Sequence, residues 1–266
     1  SLYDTLPMYQ ALAESKNTSA VWLLDKLGIQ RGISKLEDFG ISIGEADENL
    51  GAIALGGMSK GVTPVQLASA YTTFVNEGVR TQARFITKIV DATGAVIVDN
   101  TNPETNRVTT AAVAEEMTSM LMGVYADGGT GASAQPSNGM VIAGKTGTTE
   151  LDRETGYIKS QWMVGYTPDL VVATWLGYDK TNEIYNLNNA GKTMANLYSA
   201  EMGALLSISP QTEFAVAAAE ETYDSGIING LKNGLDEFMN DMGSFGQSLG
   251  EGSKKLFDWA NEAFGQ

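Results

Sequence analysis

The residues best suited to chemistry are Lys145, Thr146, Gly147, Thr148 and Thr149, which close an apolar run beginning near residue 140. A lysine at a strand edge, followed by hydroxyls, offers one cation and several donors to an anionic group. Gly147 removes a side chain where the backbone of a ligand must approach closely. The plainer alternative is an ordinary strand end with a solvated lysine and a glycine bulge. A second group, Ser15-Lys16-Asn17, interrupts two stretches with apolar residues at helical spacing, Leu6, Tyr9 and Leu12 before it and Ala20, Leu23, Leu24 and Leu27 after it. Ser, Asn and Thr are favoured N-caps, so Asn17 or Thr18 could simply cap the second helix. Alternatively, the Ser15 hydroxyl and Asn17 amide face a substrate from a short exposed turn.

Composition narrows the chemistry. The 266 residues contain no histidine and no cysteine. That excludes a Ser-His-Asp relay, an HExxH zinc site, a thiol nucleophile, a thiolate metal site and a disulfide framework. A general base must then be Lys, Asp, Glu or Tyr, and no cofactor or metal is expected. With 32 acidic against 17 basic residues, the net charge of -15 opposes phosphate backbones and anionic lipid, so nucleic acid is not an expected partner. No run approaches the ~18 apolar residues of a membrane-spanning helix, so no membrane contact is required of this chain itself. It opens on Ser1 rather than methionine, which suggests a processed or truncated piece.

Several elements must position these groups. Two helices are expected over residues 6 to 27, meeting at the corner from Ser15 to Thr18. Thr63-Pro64-Val65-Gln66 combines a cap, a proline at the first helical position and a capping-box glutamine, with Gly78 as the stop. Residues 84 to 98 alternate and break at Thr93-Gly94, the pattern of a hairpin. Thr109 or Thr110 caps a helical run through Met117, Leu121 and Val124, and Asp127-Gly128-Gly129-Thr130-Gly131 reads as a loop. Strands are expected near 140 to 148, 160 to 166 and 170 to 177, with a turn at Thr167-Pro168-Asp169 and a helix from about Lys192 to Leu206. Helices, then a strand run, then a closing helix indicate an α+β domain with an antiparallel sheet, residues 1–222. Residues 223–266 form a Gly-rich acidic tail whose apolar residues, from Ile228 to Trp259, recur with a period near 3.5. That stripe would bury one face on its own domain or a partner; because each glycine disfavours helix by ~0.8 to 1 kcal/mol, a largely disordered tail is an alternative, and contact with a membrane surface a third.

The two polar groups acquire meaning together. A Ser-x-x-Lys nucleophile motif, a second serine motif and Lys-Thr-Gly jointly mark penicillin-binding proteins and serine β-lactamases. The surrounding text resembles class A penicillin-binding proteins in Gln10 to Asn17, Leu55-Gly56-Gly57, Gly61 to Tyr71, Gly129-Thr130-Gly131 and Trp162 to Asp169. The resemblance covers roughly residues 3 to 210. It implies a D,D-transpeptidase in which a serine attacks the D-Ala-D-Ala bond of a peptidoglycan stem peptide, releases D-alanine and passes the acyl group to a neighbouring amine. β-Lactams acylate the same serine.

Carried over on that resemblance, Ser15 shuttles a proton, Asn17 orients the substrate amide and the nucleophile motif's lysine, and Lys145 supplies positive potential and holds Ser15. Thr146 and Thr148 would take the substrate carboxylate, and the Thr148 N–H would be half of an oxyanion hole. Gly147 and Thr149 complete the substrate-binding strand. None of the lysines is preceded at the third position by serine; Lys16, Lys60, Lys145 and Lys255 are preceded by Ala13, Gly57, Ile142 and Gly252. Either the chain is a piece of a longer protein whose upstream part holds the nucleophile, the favoured expectation, or it is a family member that has lost catalysis; the resemblance also implies an upstream glycosyltransferase and a membrane anchor. The enzyme would work on the outer face of the cytoplasmic membrane. The rival expectations are a D,D-carboxypeptidase or β-lactamase, which pass the acyl group to water, and a non-catalytic cell-wall binding module.

Overall fold

A computed structural model of the chain describes residues 6–151, 156–187 and 190–219. In order, the elements are α1 (Met8–Ala13), α2 (Asn17–Leu27), α3 (Ile29–Asp38), α4 (Leu50–Leu55) and α5 (Pro64–Val75). Then come β1 (Val79–Thr81), β2 (Lys88–Val90), β3 (Val96–Asp99), β4 (Thr105–Arg107) and α6 (Ala111–Met122). The chain continues with β5 (Ala143–Glu150), β6 (Ile158–Thr167), β7 (Leu170–Gly177) and α7 (Ala190–Leu206). β5, β6 and β7 form an antiparallel sheet in that order, with Lys145 opposite Val164 and Val164 opposite Ala173. The α+β class expected from the sequence is what the structure has.

Side-chain alternation along β6 divides the core between two helical layers. Tyr166 faces α5 and α6: its ring lies 6.1 Å from that of Tyr71 and 6.2 Å from that of Phe74, and its hydroxyl is 2.9 Å from Thr118 Oγ1. Its neighbour Gly165 faces α7, where a Cβ would sit 2.3 Å from the Tyr198 hydroxyl. Met194, Tyr198, Met202 and Leu206 close that face and are fully buried. Each such side chain stabilises the fold by ~1.5 to 3 kcal/mol relative to exposure.

α5 begins where its sequence signals it should: Thr63 Oγ1 accepts from Gln66 N, and the Gln66 side chain accepts from Thr63 N. α6 is capped by Thr110, whose hydroxyl accepts from Val113 N. The hairpin exists, but its strands start at Lys88 rather than 84, and Asp91 organises the turn by accepting from Thr93 N and Ala95 N. α3, α4 and the three-residue pairing of β1 with β4 were not expected, although α3 is ten residues long. The tail from 223 to 266 lies outside the described residues, as does the end of the proposed 1–222 domain.

Candidate active site

The corner carrying Ser15 is built by the way α1 ends. Lys16 N donates to Ala11 O at 2.9 Å and Ser15 N to Leu12 O at 3.1 Å, the two bonds of a Schellman motif. That motif places one residue in the left-handed region, ordinarily glycine. Here it is Ser15, at φ 55°. A residue with a Cβ gives up roughly 1 to 2 kcal/mol in that conformation, so the hydroxyl is held at a backbone site where glycine would be more comfortable. Strain of this kind concentrates at functional positions.

Ser15 meets Lys145 across 130 residues of sequence. Lys145 Nζ donates to Ser15 Oγ at 2.7 Å and to the carbonyl oxygen of its neighbour Thr146 at 3.0 Å. Burial lowers the Lys145 ammonium from its ordinary 10.5 to about 8, and desolvation is the sole cause. A partly buried cation that meets no carboxylate among the described residues is suited to attract an anion from solvent. Proton counting sharpens this. Ser15 Oγ accepts from Lys145, so the serine's own proton remains free to be donated elsewhere. Lys16 turns away and pairs with Glu14 at 2.6 Å.

The other expected residues fall around this pair. Asn17 is exposed and is the first residue of α2; no side chain caps that helix, so neither Asn17 nor Thr18 plays the capping role. Gly147 lies opposite Trp162, and a Cβ there would come within 3.3 Å of the Trp162 Cβ. Thr148 is exposed opposite Gln161, and Thr149 sits opposite Ser160 just before a bulge. β5 is an edge strand among the described residues. The Thr146 carbonyl accepts from Lys145, and backbone groups two residues apart on a strand point the same way, so the Thr148 N–H faces the same side of β5 as that carbonyl.

One participant was not among the sequence candidates. Thr130 Oγ1 lies 2.7 Å from Thr146 Oγ1, and Thr130 N donates to Ala13 O at 3.1 Å. The sequence signal was the run of glycines around it. A Cβ at Gly129 would sit 2.2 Å from Gly123 O, and one at Gly131 would sit 2.9 Å from the Tyr125 ring. Among the described residues no cluster of three or more His, Cys, Asp or Glu could hold a metal.

Comparison with known proteins fits this arrangement. Residues 1–200 match the penicillin binding protein transpeptidase domain. The chain belongs to that family. Its relatives are class A penicillin-binding proteins: it is 40% identical over 217 residues to penicillin-binding protein 2a of Streptococcus pneumoniae, covering 80% of this chain and 29% of the relative. It is 39% identical over 191 residues to penicillin-binding protein 1F of Bacillus subtilis, covering 72% of this chain and 26% of the relative. The PonA1 protein of Mycobacterium tuberculosis, in complex with penicillin V, superposes with a TM-score of 0.65 at 25% identity, over 79% of this chain and 59% of that one. The chain thus spans less than a third of the length of these two curated relatives.

Proposed function

We propose that this chain forms two walls of the active site of a peptidoglycan D,D-transpeptidase, completed by a serine and lysine from an upstream part of the same protein. The observation that carries the reading is the 2.7 Å bond between Lys145 and Ser15, which joins the two sequence motifs into one cleft. The upstream serine attacks the carbonyl carbon of the penultimate D-alanine, and its proton reaches the departing D-alanine amine through Ser15. The resulting acyl-enzyme is resolved by the amine of a second stem peptide. Lys145 supplies the charge that draws in the terminal carboxylate, Thr146 and Thr148 bond it, and Gly147 and Thr149 shape the strand along which the peptide lies. Asn17 holds the substrate amide, and the Thr148 N–H stabilises the oxyanion. In this reading β-lactams enter the same cleft; PonA1, which shares the fold, is known in complex with penicillin V. In this reading the upstream part also carries a glycosyltransferase and an anchor on the outer face of the cytoplasmic membrane; no described helix is long and apolar enough to cross a membrane.

The test is acylation of the full-length protein by a fluorescent penicillin. Lys145→Ala is expected to slow it by about 10²- to 10³-fold while the fold survives; unchanged kinetics contradict the assignment. Stable label supports a transpeptidase, rapid loss of label a β-lactamase or carboxypeptidase, and no label a binding module. A second reading draws on the same bond: a lysine lowered to about 8 beside a serine is also the composition of a serine–lysine nucleophile. The identity of the acylated serine separates the two.

A further inference from the structure

We infer that Thr130 is a positioning residue that donates to Thr146 when Thr146 gives its proton to the substrate carboxylate, and that it ties the two walls of the cleft together. The inference rests on the reading of Thr146 as a contact to the substrate carboxylate. A threonine hydroxyl has one proton and two lone pairs. Either hydroxyl could donate in the 2.7 Å contact between Thr130 and Thr146. Once an anionic carboxylate is bound, the choice is forced, because a carboxylate only accepts. Thr146 must give it the single proton, and its oxygen then has a lone pair to offer Thr130. The resulting chain runs from Thr130 O–H to Thr146 Oγ1 and from Thr146 O–H to the carboxylate, each bond polarising the next.

The backbone of Thr130 does separate work. Its N–H holds Ala13 O at 3.1 Å, two residues before Ser15, so one residue grips the Ser15 wall with its main chain and the β5 wall with its side chain. Gly123, at the end of α6, packs against Ala13, where a Cβ would lie 3.4 Å from that of the alanine. The glycines on either side of Thr130 leave no room for side chains, which fixes the loop in this path. Thr130 itself is exposed and open to the cleft.

Thr130→Val keeps the shape and the backbone bond and removes the donor; Thr130→Ser restores the donor. The experiment measures acylation of the full-length protein by benzylpenicillin and by its methyl ester, which lacks the anion. In wild type the acid is expected to react faster than the ester. In Thr130→Val the acid is expected to slow by about three- to tenfold, the effect of one hydrogen bond, while the ester changes little, so the preference shrinks. Thr130→Ser is expected to recover it. A role confined to loop structure would slow acid and ester alike, and that result overturns the inference. Wild type that labels while Thr130→Val keeps the full preference overturns it too, leaving the transpeptidase reading intact; wild type that does not label at all removes both.

Discussion

Ser15 is one of two described non-glycine residues in the left-handed region, at a position that suits glycine. Two substitutions separate strain from chemistry. Ser15→Gly and Ser15→Ala both remove the partner of Lys145, so both are expected to lose about a hundredfold or more in acylation. Their stabilities should diverge: by thermal unfolding the glycine variant is expected to exceed the alanine variant by roughly 1 kcal/mol. Equal stability would show that the corner relaxes when the hydroxyl goes. Lys145 gives a prediction in pH. Its ammonium is lowered to about 8; in the proposed function that charged form attracts the carboxylate, so acylation should fall as pH rises through about 8. In Lys145→Arg, which stays charged, the falling limb should disappear whatever the absolute rate. A wild-type profile flat from pH 7 to 9.5 would contradict a cationic role. At this scale the sequence was legible in Lys145 and Ser15, because motifs record residue type and spacing. It was silent on Thr130, whose partner is a side chain on another element, and on the strain at Ser15, which exists only once α1 ends as it does.

At the scale of elements, close backbone approach explains the glycines that local propensity does not. Gly144 precedes Lys145 on β5, and a Cβ there would stand 2.0 Å from Val164 O on the paired strand. Gly144→Ala must push β5 from β6 and move Lys145 with it. It is expected to lower stability by about 1 to 3 kcal/mol or more, measured by denaturant unfolding, and to slow acylation as well. Loss of stability with full activity would show that Lys145 is placed by its own contacts and not by the strand. Elements with strong local signals were readable in advance: the capping box of α5, the Thr110 cap of α6 and the three long strands. The short pieces α3, α4, β1 and β4 were not, because their form is dictated by neighbours. Gly32, for example, sits in α3 where a Cβ would be 2.5 Å from the Leu24 side chain. That contact defines the packing of α3 on α2, and nothing within α3 announces it.

At the scale of the whole molecule, the chain brings a lysine and a serine hydroxyl together beside a strand that is an edge among the described residues, yet none of its lysines lies three residues after a serine. In the proposed function the acylated serine comes from outside these 266 residues, which span 29% of the length of penicillin-binding protein 2a. The lack of a Ser-x-x-Lys spacing was legible from the sequence, whereas the contact between Lys145 and Ser15 emerged only from the fold. The direct test is to acylate the full-length protein with a fluorescent penicillin, digest it, and identify the labelled serine by mass spectrometry. The account predicts label on a serine upstream of Ser1, within a Ser-x-x-Lys sequence, and none on this chain. Label on Ser15, or on any other serine between 1 and 266, would contradict it.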